Sequence, residues 1–86
     1  MLGRIEMSTF TLEPELGVAY FKFSESKIDR TVELNPDLNI DLDADGKPVG
    51  IEFLRSSPTV PFDRLRDEFA FKLSELDLIR RVLPTI

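Results

Sequence analysis

The chain has 86 residues, with 11 Lys and Arg against 16 Asp and Glu, and it has no cysteine, histidine or tryptophan. Those counts exclude disulfides, thiolate nucleophiles, Cys-ligated zinc, iron–sulfur clusters, imidazole catalysis and His-ligated metal or haem. The length is that of one domain, 1–86, and the formal net charge of −5 disfavours nucleic acid as a partner.

Apolar residues make up 42% of the chain, too many for a disordered polymer. No apolar run approaches the roughly 20 residues of a membrane span, so no membrane partner is expected. The opening Met1-Leu-Gly-Arg-Ile-Glu-Met7 lacks the apolar core of a signal peptide, and Met7-Ser8 offers a second start. The expected location is the cytoplasm. Charge is uneven along the chain: residues 1–60 hold 6 basic and 11 acidic side chains, and residues 61–86 hold 5 of each.

The first expected strand carries Phe10 and Leu12 on one face. A loose connection from Glu13-Pro14 to Gly17 returns it against Ala19 and Phe21. Ser24-Glu25-Ser26-Lys27 reads as a turn that brings Phe23 to Ile28 and Ala19 to Val32. Asn35-Pro36-Asp37 is a second turn, placing Val32 opposite Ile40 and Leu34 opposite Leu38. Asp45-Gly46 signals a two-residue hairpin loop with positive φ at both positions. Paired positions about it then sum to 91, setting Leu42 against Val49, Ile40 against Ile51 and Leu38 against Phe53. Asp41 meets Gly50 and Asn39 meets Glu52 on the other face. A one-residue slip would turn every apolar side chain outward. Pro48 suggests that the last strand is an edge.

Arg55-Ser-Ser-Pro-Thr-Val-Pro61 ends the period-two pattern. Beyond it the apolar period is helical and there is no glycine. One helix over 61–83 would be about 34 Å long, against about 20 Å for six-residue strands, so it must break or overhang. A break at Ser74, with Asp77 completing a capping box, is one solution. The fold expected is α+β: a four- to five-stranded antiparallel meander over 1–57, one face covered by a C-terminal helix or helix pair from 58–86. On a helical wheel Phe62, Leu65, Phe69, Leu73, Leu76 and Leu83 share a core-facing stripe, and Phe71, Leu78 and Val82 share another. The second stripe is the candidate interface of a homodimer. A kink that turns it onto the same core is the alternative.

Asp41-Leu-Asp43-Ala-Asp45-Gly46, with Glu52 at the twelfth position, matches an EF-hand loop as a string. The flanks alternate as strands rather than helices, Pro48 and Val49 offer no ligand, and Glu52 lies along the sheet. The loop carboxylates are therefore read as solvated, with no metal and no cofactor. Tyr20, Glu33, Asp41 and Glu52 share the outward face as the candidate patch. Cross-strand ion pairing with Lys22 and Arg30 explains such a patch without function; loose divalent-ion or carboxylate catalysis is the functional alternative. The turn serines Ser24, Ser26, Ser56 and Ser57 have no partner base, so no residue is assigned as catalytic.

Phe10-Thr-Leu-Glu-Pro-Glu-Leu-Gly-Val-Ala-Tyr-Phe-Lys-Phe-Ser24, Arg30-Thr-Val-Glu-Leu34 and Asn39-Ile-Asp-Leu-Asp-Ala-Asp-Gly-Lys-Pro-Val-Gly-Ile-Glu-Phe-Leu54 together resemble a family of small bacterial proteins of unknown function. Its first hairpin reads like Y-D-P-x-x-D-x-L-Y-I and its second like D-x-D-x-D-G-x-x-V-G-I-E. Leu12, Glu13 and Gly17 stand where that family has Tyr, Asp and Asp. The resemblance implies a short antiparallel sheet with a C-terminal helix, and it carries no established activity over to this chain. Members are described beside small RelE-like toxin genes, which implies an antitoxin-like or regulatory role. The protein is thus expected to be a non-enzymatic interaction module with a basic protein partner.

Overall fold

A computed structural model describes residues 9–13, 15–55 and 57–83. Met7-Ser8, the side chain of Leu12, Ser56 and Pro84 lie outside the described residues. Five strands precede two helices: β1 Thr9–Glu13, β2 Val18–Lys22, β3 Arg30–Asn35, β4 Leu38–Leu42, β5 Pro48–Phe53, α1 Phe62–Phe69 and α2 Leu73–Val82. The strands form one antiparallel sheet, and the α+β architecture with a helix pair on one face is as expected.

The strand order corrects the simple meander. It is β1-β2-β5-β4-β3, so β2 pairs with β5 and not with β3. Ala19 faces Phe53 and Phe21 faces Ile51, where Val32 and Ile28 had been expected as neighbours of β2. The physical reason lies in composition. β5 carries Val49, Ile51 and Phe53, all buried, and gains most from a neighbour on each side. β3, Arg-Thr-Val-Glu-Leu-Asn, is largely exposed and tolerates an edge. Segment 23–29 therefore spans the end of the sheet, with Phe23 N–H donating to Val49 O (2.8 Å) and Asp29 N–H to Leu42 O (2.8 Å). Ile28, expected inside, is half exposed on that crossing. Pro48 heads the central strand rather than an edge. It sits opposite Leu42, where the ladder shifts register and a missing N–H costs little.

The β4–β5 register agrees with the sequence reading at Leu38–Phe53, Asn39–Glu52, Ile40–Ile51 and Asp41–Gly50. The loop is longer than a two-residue turn. Gly46 N–H donates to Asp43 O (2.9 Å) and Asp43 N–H to Lys47 O (2.9 Å). Gly46 has φ 81°, and Asp45 is not left-handed. Asp43 is not simply solvated, because its Oδ1 accepts from the N–H groups of Asp45 and Lys47, both at 2.9 Å. Asp43→Ala should therefore cost about 1–2 kcal/mol in urea unfolding, whereas Asp43→Asn keeps the acceptor and should stay within about 0.5 kcal/mol. Gly46→Ala should cost about 1 kcal/mol through its positive φ.

The helical region breaks four residues earlier than expected. Ala70 adopts φ 58°, and its N–H and that of Phe71 turn back to Leu65 O. α2 is capped by Glu75, whose Oε1 accepts from Lys72 N–H (2.8 Å), not by Ser74 with Asp77. Burial holds the Glu75 carboxyl above its usual range, against the pull of that backbone bond and of Lys72. The break resets the helical phase and takes Phe71 out of the proposed interface. Phe71 is buried, its ring edge-on to Phe23 at 5.7 Å, and Leu78 and Val82 pack against the same core. The stripe on which a dimer was expected is thus taken up by the protein's own core. Leu73, expected inside, is 75% exposed, and Ile79, in neither stripe, is fully buried.

The segment leading into α1 is tied to the β3–β4 turn. Asp37 Oδ2 accepts from Thr59 N–H (2.8 Å), Asn35 Nδ2 donates to Thr59 O (3.2 Å), and Arg55 lies 3.6 Å from Asp37. No helix among the described residues is long and apolar enough to cross a membrane.

Candidate functional site

The open face of the sheet is assembled by the ladder. Directly opposed residues share a face, so Tyr20 and Glu52, Gly50 and Asp41, Asp41 and Thr31, and Asn39 and Glu33 all lie on the side away from the helices. Lys22 lies opposite Gly50 in the same row.

Three of these side chains form one hydrogen-bonded line across four strands. Tyr20 Oη on β2 donates to Asp41 Oδ2 on β4 at 2.8 Å, and Thr31 Oγ1 on β3 donates to Asp41 Oδ1 at 2.6 Å. The Tyr20 ring crosses β5 to do so, directly over Gly50. A Cβ at Gly50 would strike the Tyr20 hydroxyl and ring, and would sit 2.8 Å from Phe21 O. Gly50 is therefore a close-approach glycine, and the aromatic ring covers the backbone that it leaves bare.

This arrangement decides what the face can do chemically. Both Asp41 oxygens already accept a hydrogen bond. Tyr20 is held as a neutral donor well above the usual phenol range, first by burial, then by its bond to Asp41, with the charges of Asp41 and Glu52 adding. Glu52 stands beside Tyr20. Glu33 does not join the line. It is exposed on the edge strand, two strand spacings or about 10 Å of backbone from β5. So the structure groups Tyr20, Asp41 and Glu52 of the expected patch, and adds Thr31 and Gly50. Their shared register rows were readable, but the diagonal reach of the ring over a glycine was not.

A phenol held neutral by the fold makes stability depend on alkaline pH. The unfolded chain releases the Tyr20 proton near the ordinary value of about 10, before the folded chain does. The unfolded state then binds fewer protons, so unfolding becomes easier as pH rises above that value. Urea midpoints should fall above pH ~10 in the native chain and fall less in Tyr20→Phe.

The strands that carry this line also carry the family signal. A family model described as a protein of unknown function, DUF2283, matches residues 11–57. This chain belongs to that family. The DUF2283 match takes in β2 to β5, most of β1 and the whole Tyr20–Asp41–Thr31 line, and nearly coincides with the stretch 10–54 read as a resemblance. Both helices lie beyond it. No curated protein and no solved structure matches the chain significantly.

Proposed function

We propose that this DUF2283 protein is a non-enzymatic interaction module, antitoxin-like or otherwise regulatory, that receives a basic partner protein on the open face of its sheet. The charge of that face carries the reading. Glu13, Glu33, Asp41 and Glu52 share it with Lys22 as the one cation among the described residues, and Lys22 is already paired with Glu25 at 2.9 Å. A face of one sign steers a partner of the opposite sign and selects against like-charged competitors. The helices lie on the other face, which leaves this one to a macromolecule as far as the described residues go. Carboxylate or divalent-ion catalysis has less support, because Asp41 is spent on Tyr20 and Thr31.

The test is retention of host proteins on the immobilised full chain, compared with Glu33→Lys/Glu52→Lys. Both residues are partly or fully exposed, so the double variant should stay folded. The expected result is a basic protein held by the native chain, lost from the double variant, and released by about 0.5 M salt. An identical set of proteins on both chains would remove the acidic face from consideration.

A further inference from the structure

We propose that the cleft between segment 57–62 and α2 binds a small organic carboxylate with an apolar body, its anionic head on Arg80. The cleft holds about 350 Å³, within the range of small-molecule sites, and Pro58, Val60, Phe62, Ile79 and Leu83 give it apolar walls. Arg80 lines it as well, with its guanidinium carbon 4.2 Å from the centre of the Phe62 ring.

Arg80 stands apart from the other described arginines. Arg30, Arg55, Arg64, Arg66 and Arg81 each lie within 4.0 Å of a carboxylate, namely Asp29, Asp37, Glu68, Asp67 and Asp77. Arg80 has no carboxylate among the described residues, in a chain of net charge −5. The Phe62 ring steadies the planar guanidinium without using its N–H donors, which present a fork that fits a carboxylate. A guanidinium with no carboxylate partner among the described residues, set beside apolar walls, selects an amphipathic anion over a neutral oil or an inorganic ion. The cleft is on the helical side of the sheet, so the inference is independent of the acidic open face.

The experiment is a methyl-resolved NMR titration of the full chain with sodium octanoate. Saturable shifts should be confined to the methyls of Val60, Ile79, Leu83 and their neighbours. Arg80→Gln, an exposed substitution whose melting curve reports its fold, should weaken binding about tenfold, and Arg80→Lys should fall between. 1-Octanol should bind the native chain no better than octanoate binds Arg80→Gln. Shifts spread over the exposed Leu16, Leu54 and Leu73 would overturn the proposal as general adsorption. So would equal binding of octanol and octanoate, unchanged affinity in a folded Arg80→Gln, or no saturation below about 10 mM.

Discussion

Phe71→Ala is expected to lower the stability of the protein by about 3–5 kcal/mol, measured by urea unfolding followed by circular dichroism. Phe71 is 3% exposed in the turn between α1 and α2 and meets Phe23 edge-on at 5.7 Å, with an interplanar angle of 82°. Phe23 in turn stacks on Phe21, which meets Phe53, so the ring ties the inter-helix turn to β2 and the central strand β5. Truncation leaves a cavity that a turn anchored by Leu65 O and by Glu75 cannot readily collapse. Phe71→Glu places a charge in the same space. Against a total stability of order 5–15 kcal/mol, it should leave the chain unfolded. Leu73→Glu is the control. At 75% exposure it should stay within about 0.5 kcal/mol of the native chain. A folded Phe71→Glu with a native melting curve would return Phe71 to the surface.

Gly50→Ala should be costly although Gly50 does not have positive φ. One methyl there meets the Tyr20 hydroxyl and ring on one side and stands 2.8 Å from Phe21 O on the other. The ring can swing away only by giving up its 2.8 Å bond to Asp41, and the carbonyl belongs to the β2 backbone beside β5. Overpacking of this kind costs about 1–3 kcal/mol. The lost hydrogen bond adds about 1 kcal/mol, which together lowers the melting temperature by about 15 °C. Tyr20→Ser in the same chain should recover about half of that loss, since it removes the ring but not the Phe21 carbonyl. Strict additivity of the two substitutions would show that the ring does not lie over Gly50.

Both predictions come from features that one-dimensional patterns treat differently. The β4–β5 register was legible because alternation and the Asp-Gly signal act on neighbouring segments, and a slip would turn Ile40, Ile51 and Phe53 into water together. The outward set Tyr20, Glu33, Asp41 and Glu52 followed from the same parity. The order of the strands was not legible, because a turn signal at 24–27 looks the same whether the chain reverses onto its neighbour or spans two strands to an edge. Burial decides that choice, by the competition of β3 and β5 for the centre of the sheet.

The amino-acid sequence by itself determined the α+β class, the face of each strand and the β4–β5 pairing. These depend on side-chain period and local turn chemistry, which no partner needs to supply. It also determined that an unbroken tail helix would overhang the sheet, since such a helix is longer than the strands. Tertiary structure decided where the break falls. Ala70 takes a left-handed conformation that brings Phe71 down onto Phe23, and the free energy of burying that ring outweighs the ordinary cost of positive φ at a non-glycine residue. Tertiary structure likewise decided that Tyr20 crosses Gly50 to reach Asp41, because only the assembled β2-β5-β4 ladder puts a glycine between that donor and that acceptor.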